Sequence, residues 1–545
     1  MRHRSFVIHA ALLTLALVSV VTHAQTRAAG NVSKVWVADR GDGTYRNPII
    51  HADFSDPDAV RVGDDFYMTA SSFNSAPGLP ILQSKDLVNW TTVGYVFRRQ
   101  PPYEVFDRPQ HGGGVWAPSI RYHEGEFYIF YPDPDRGIYV TKAKAAAGPW
   151  SEPLLIKEAK GWIDPCPLWD DDGRAYLVTA MAASRSGVKS VLIVSRMSPD
   201  GTRLLDDGVL VFDGHDKDPT VEGPKFYKRG SYYYIFAPAG GVETGWQLAL
   251  RSKSVYGPYE RRVVLAQGKT NINGPHQGAW VETQTGESWF LHFQDLGPYG
   301  RVVHLQPMRW ADGWPVMGAD PDGDGTGEPV LTYKKPNVGR TWPVTTPPDS
   351  DEFDAAGLGL QWQWHANPQP SWAFPSGPLG FLRLFNTPLP EGHRNLWDVP
   401  NLLLQKFPAR EFTATTKLAF TPRTEGEKAG LVVMGADYAY ASVRNTSGGL
   451  VVSQTVCKDA DKQGVERESP AVPFKGGTLY LRVRVSGDAV CDFSYSADGK
   501  TFAPLGEPFK ARPGRWIGAK LGLFATRAGT TREYGYADFD WFRFE

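Results

Sequence analysis

The feature that most restricts how this 545-residue chain can fold is a device repeated five times. The copies read "DPDAVRVGDDFYMTA" from Asp56, "APSIRYHEGEFYIFY" from Ala117, "DPCPLWDDDGRAYLV" from Asp164, "EGPKFYKRGSYYYIF" from Glu222 and "PHQGAWVETQTGESWFLHF" from Pro275. Each is a strand, a tight turn on Gly/Asp-type residues, and a second strand rich in Tyr, Phe and Ile. Their starts lie 61, 47, 58 and 53 residues apart. Further short strands such as "PILQSKDLVNWTTVG", "GIYVTKAK" and "KSVLIVSRM" fill the gaps, where amphipathic helix patterns are nearly absent. A four-stranded unit repeated radially every ~40–50 residues is a propeller blade. The spacing therefore predicts an all-β chain with a five-bladed β-propeller over residues 45–333.

The repeat gives its leading residues a meaning. If the first strand of each blade is innermost, the five starts ring one mouth of the central channel. Asp56, Asp164, Glu222 and His276 then converge from distant parts of the sequence, and Trp116 joins them. For a single copy, Asp-Pro or Glu-Gly is ordinary turn chemistry. Three acids at equivalent blade positions point further, to glycoside hydrolysis. An inverting hydrolase needs one carboxylate to activate water and one carboxylic acid to protonate the leaving oxygen, ~6.5–9.5 Å apart. A third carboxylate nearby raises the acid's pKa by like-charge repulsion. Asp58 is a close decoy for Asp56, on the same side of the strand but deeper in the channel. Asp170, Asp171 and Asp172 read as a hairpin turn.

At these motifs the chain resembles glycoside hydrolase family 43, from "YRNPIIHADFSDPDAVRVGDDFYMTASSF" to "GPYGRVVHLQPMRWADGWPV". The resemblance implies a five-bladed propeller that inverts configuration. It implies Asp56 as general base, Glu222 as general acid, and Asp164 as the group that tunes and orients that acid. By the same resemblance Arg301 contacts substrate, Phe73 and Trp116 wall the sugar subsite, and His276 sits on the axis beside a channel ion, often calcium. A structural role for His276 is an equal alternative, and a core role for Trp116 the lesser one.

A Pro/Thr-rich connector, 334–350, leads to a region of alternating strands over 351–545, including "TLYLRVRVSG" and "YADFDWFRFE". That texture predicts a two-sheet β-sandwich. Family 43 β-xylosidases commonly carry a lectin-like (concanavalin A-like) sandwich here, one loop of which narrows the active-site mouth. Trp516 in "GRWIGAK" is the nominated plug, with sandwich core as its alternative. "ADPDGDGTGE" from Ala319 places Asp320, Asp322 and Asp324 like the start of a calcium loop. The glutamate expected at loop position twelve is Leu331, so a solvated turn is the default.

Charge and composition exclude other classes. Lys+Arg 58 against Asp+Glu 59 gives no reason to expect nucleic acid or an anionic membrane. Three cysteines form no disulfide framework; Cys457 and Cys491 could pair, and Cys166 reads as a core thiol. "MRHR" followed by "FVIHAALLTLALVSVV" and "THA" reads as a signal peptide, 1–24, with a leader over 25–44, implying export to the periplasm or medium. The expected function is an exo-acting β-xylosidase that removes pentose from hemicellulose oligosaccharides, with no required cofactor and a structural calcium as an option. An α-L-arabinofuranosidase or exo-galactan-cleaving activity is the alternative, and a non-catalytic carbohydrate-binding propeller the alternative of a different class. Oligomeric state is open.

Overall fold

The structure is a computed structural model that describes residues 32–529 and 532–545. The expected signal peptide and the first part of the leader lie outside the described residues. Five antiparallel four-stranded sheets form the N-terminal domain, each joined in simple sequence order. Their first strands are Asp58–Val62, Ser119–His123, Trp162–Trp169, Lys225–Arg229 and His276–Glu282. These pack against one another around the axis, so the first strand is innermost in every blade.

Burial follows from that geometry. Second strands are sandwiched between neighbouring blades and read as nearly continuous apolar runs, as in Glu126–Asp133, where every residue after the first is buried. Outer strands such as Leu154–Glu158 and Val209–Asp213 are largely exposed and accept charge. Each blade pair owns a cluster. Leu79 and Ile81 meet Ile120 and Ile129 between blades 1 and 2. Phe130 meets Leu177 between blades 2 and 3, and Val178 meets Ile235 between blades 3 and 4. Phe236 meets Phe290 between blades 4 and 5, and Leu305 meets Phe66 between blades 5 and 1. Each fully buried side chain of this size contributes ~1.5–3 kcal/mol. The ring is drawn together by Thr44–Arg46 pairing with Thr332–Lys334, which sets Tyr45 fully inside the cluster between blades 5 and 1.

The C-terminal domain is a sandwich of a nine-stranded and an eight-stranded sheet. Leu403, Leu431 and Leu523 of one sheet pack against Leu418, Leu481 and Phe539 of the other. Cys457 lies in the first sheet and Cys491 in the second; both are buried free thiols, as is Cys166. The sandwich docks directly on blades 1 and 5. Trp364 forms a β-bridge with Ala76, Asn367 exchanges hydrogen bonds with Gln100, and Ala519 N–H donates to Pro298 O. Among the described residues no helix is long and apolar enough to cross a membrane.

Candidate active site

Asp56, Asp164 and Glu222 line one pocket of about 450 Å³ at the axis, together with Phe73, Trp116, Ile163, Gln277, Arg301 and Trp516. The backbone explains how the acids reach it. Asp56 and Asp164 both take φ +56°, the left-handed region, immediately before a proline. That turn aims each carboxyl toward the channel, just before the strand in blade 1 and at a register shift within the strand in blade 3.

Glu222 arrives differently, and here the structure corrects the expectation of three equivalent positions. In blade 4 the left-handed residue before proline is Gly223, at φ +58°. Glu222 stands one residue earlier, matching Trp116 of blade 2: Glu222 N–H donates to Pro238 O as Trp116 N–H donates to Pro132 O. The longer glutamate side chain makes up the offset. Blade 5 repeats the pattern, with Gln277 at φ +35° lining the pocket and His276 just before it.

The hydrogen bonds give the carboxyls different surroundings. Asp56 Oδ2 accepts from the hydroxyls of Ser55 and Ser71, each at 2.6 Å. Its Oδ1 lies 3.2 Å from Arg301 Nη1, which also donates to Ser55 Oγ at 2.8 Å. Donors on every side suit a carboxylate that only accepts. Asp164 Oδ2 accepts the N–H of Gly223 at 2.7 Å. Burial first, and then the charge of Glu222, push the Asp164 carboxyl up to about 8. Asp164 therefore holds a proton at neutral pH, beside Glu222.

The other nominated residues fall as follows. Phe73, at φ +51°, is held by paired hydrogen bonds with Val115 and forms a wall. Trp116 is anchored by its Nε1 donating to Gly112 O at 2.7 Å, and Arg185 lies 5.1 Å over its ring. Trp516 is 46% exposed at φ +66°, which removes the sandwich-core alternative. Its ring meets Trp116 edge to face and lies 6.0 Å from the Arg301 guanidinium. The sandwich thus supplies one wall of a pocket otherwise built by the propeller.

His276 is buried behind Glu222, with Nε2 3.4 Å from Glu222 Oε1, and Gln277 takes the lining position. Among the described residues His276 shares no cluster of three ionisable ligands, whereas calcium wants six to eight oxygens. Asp320, Asp322 and Asp324 do draw together, their ligand atoms within 4.8 Å of one another. Asp320 is already tied to Arg309 at 2.8 Å and to the N–H of Gly323. Asp58 lies deeper, as expected, holding Arg121 Nη1 at 2.6 Å and the N–H of Ile120. Asp170 to Gly173 form the hairpin turn, Gly173 N–H donating to Asp170 O.

Sequence reasoning missed Gln277, Ile163, Ser71 and Asp53. Gln277 is 3% exposed, and its Nε2 has no hydrogen-bond partner among the described residues. A signal existed for it: Gln277 is the blade-5 counterpart of Asp56 and Asp164.

Comparison with known proteins agrees with this architecture. Residues 45–315 match the model of glycosyl hydrolases family 43, and residues 350–545 match the beta xylosidase C-terminal concanavalin A-like domain. A protein of Xylanibacter ruminicola, provisionally named a beta-xylosidase, is 41% identical over 91% of this chain and 88% of its own. A non-reducing end alpha-L-arabinofuranosidase of Bacteroides ovatus is 31% identical over 94% of this chain and 97% of its own. The crystal structure of a xylan beta-1,4-xylosidase from Bacillus halodurans superposes with a TM-score of 0.80 at 27% identity, covering 92% of this chain and 99% of that one.

Proposed function

The chain belongs to glycosyl hydrolase family 43, and from that premise we propose that it is an exo-acting, inverting β-xylosidase. The observation that carries the reading is the meeting of Asp56, ringed by hydroxyl and guanidinium donors, with Glu222 and the proton-holding Asp164 in one small pocket. A non-reducing terminal xylose enters between Phe73 and Trp116. Asp56 takes a proton from water as the oxygen attacks the anomeric carbon. Glu222 gives its proton to the departing glycosidic oxygen, and the products are xylose of inverted configuration and a shortened chain. Asp164 holds the backbone beside Glu222 and, as a nearby carboxyl, keeps the proton in place. Gln277 Nε2 and Arg301 offer donors to the sugar hydroxyls. Trp516 closes the end of the pocket, which supports removal of one sugar at a time.

The test is NMR of the anomer first released from xylobiose, which reads substrate and stereochemistry together. α-Xylose supports the proposal; β-xylose as first product, or no cleavage, overturns it. Glu222→Gln assigns the acid: loss of ~10²–10⁴ on xylobiose, and a smaller loss on an aryl xyloside whose leaving group needs little protonation. A variant fully active on xylobiose removes Glu222 from that role.

An α-L-arabinofuranosidase is the second reading, favoured by the Bacteroides relative and by a pocket with room for either pentose. Comparing kcat/KM on aryl xyloside and aryl arabinofuranoside decides between them. Export through the N-terminal segment and a calcium at the Asp320 cluster belong to the same proposal. Mass spectrometry of the mature N-terminus and a calcium titration test them.

A further inference from the structure

Three residues before Asp56 lies a carboxylate that the reaction does not use. Asp53 is 5% exposed, and both of its oxygens are committed to backbone. Oδ1 accepts the N–H of Arg301 and Oδ2 accepts the N–H of Gly518, each at 2.9 Å. The first is the arginine that faces Asp56. The second stands two residues after Trp516 in the sandwich. One side chain therefore ties the first residue of a propeller strand to the loop that closes the pocket.

The surroundings are shaped for this contact. A Cβ on Gly300 would lie 2.4 Å from Asp53 Cγ, and a Cβ on Gly518 would lie 2.6 Å from the Gly300 nitrogen. Two glycines thus let three backbone segments meet where no side chain fits. The buried ammonium groups of Lys406 and Lys520 supply nearby positive charge. Lys520 Nζ donates to Ser75 Oγ at 2.6 Å, and Lys406 Nζ to Gln363 Oε1 at 3.0 Å.

We propose that Asp53 is a positioning residue, which sets the Arg301 strand and the Trp516 loop in one register so that the two domains build a single sugar pocket. The proposal rests on the β-xylosidase reading, and it adds the device that makes the sandwich part of the active site. In Asp53→Asn the amide oxygen can keep only one of the two N–H groups, while the amide NH₂ is left facing the other.

A double-mutant cycle tests it on xylobiose, with Asp53→Asn and Trp516→Ala made singly and together. The expected result is a KM rise of about tenfold in each single variant and well short of a hundredfold in the double, because both act through the same loop. Trypsin supplies a readout without catalysis. Arg515 is exposed beside Trp516, and cleavage after it, followed by mass spectrometry of the folded protein, is faster in Asp53→Asn than in wild type. If Asp53→Asn fails to fold, Gly518→Ala breaks the contact from the sandwich side and takes its place in both measurements. KM effects that simply multiply, or an Arg515 bond as protected as in wild type, overturn the proposal. A wild type inactive on xylosides overturns the functional reading instead, and the trypsin comparison still decides the role of Asp53.

Discussion

Asp164 of blade 3 accepts the backbone N–H of Gly223 in blade 4 at 2.7 Å, so one carboxyl grips the residue that follows the proposed acid. Burial and the Glu222 charge raise Asp164 to about 8, so Asp164 loses its proton only in the alkaline range. The kcat/KM profile should therefore hold through neutrality and fall toward alkaline pH. In Asp164→Asn the amide oxygen can still take the Gly223 N–H, but the like charge is gone. Its alkaline limb should move to lower pH, with little change in KM. Asp164→Ala, which also drops the hydrogen bond, should lose roughly a further tenfold in kcat. A limb that stays in place in the Asn variant separates Asp164 from proton retention.

Trp516 makes a different prediction because it is a wall and not an acid. Its ring meets Trp116 with centroids 6.1 Å apart, a geometry worth ~0.5–1.5 kcal/mol beyond area burial. Trp516→Ala should raise KM for xylobiose by about tenfold with a smaller change in kcat, since the acids stay where they are. It should also open the pocket end. Product analysis on xylohexaose by chromatography reads this: wild type releases xylose alone, and the variant should release some longer fragments. Release of xylose alone by the variant assigns the exo pattern to another wall.

Gln277 lines the proposed sugar pocket with a buried Nε2 that has no partner among the described residues. Gln277→Met keeps the length and removes the donor. A site that hydrogen-bonds a hydroxyl loses ~1–3 kcal/mol when the partner is deleted, so kcat/KM on xylobiose should fall by about 5–150-fold. On a substrate lacking the matching hydroxyl, the wild type and variant should converge. Equal losses on both substrates would assign Gln277 to packing against Gly223.

Much of this site was legible in the sequence because it is carried by a repeat. Asp56 and Asp164 each lead a copy of the device, precede a proline, and share one backbone conformation. Periodicity alone puts them at the axis. What the sequence hid was the phase of individual residues. The inner strand of blade 5 shifts register between His276 and Gly278, and that of blade 3 between Ile163 and Cys166. A bulge changes which side chain faces inward, so the choice between His276 and Gln277 depends on backbone detail that alternation cannot supply. Glu222 sits one residue before the repeat's left-handed position, which Gly223 holds, an offset that its longer side chain absorbs. Asp53 went unread because its partners, Arg301 and Gly518, are 248 and 465 positions away. Nothing local marks a carboxylate that bonds only to distant backbone. Trp516 was placed through resemblance rather than pattern, since a tryptophan in a sandwich loop looks like core until the other domain is beside it.

The domain interface carries its own pH signature. Burial, and then the neighbouring Lys406, lower Lys520 to about 7, and burial lowers Lys406 to about 8 against the opposing pull of Asp53. In the unfolded chain both return to an ordinary lysine range, near 10.5. Between the folded and unfolded values the unfolded state binds more protons, so stability rises as pH increases from about 7 toward 10. Each group contributes a slope of up to ~1.4 kcal/mol per pH unit. Below pH 7 both states hold the proton, and the penalty for burying the charge is present in full. Lys520→Met removes that charge while keeping most of the side-chain volume. Its melting temperature should exceed that of wild type at pH 6, and the gap should narrow steadily toward pH 10. Calorimetry across that range reads the difference directly. A gap independent of pH would mean that Lys520 keeps its proton in the folded protein throughout, so that folded and unfolded states bind equally many protons there.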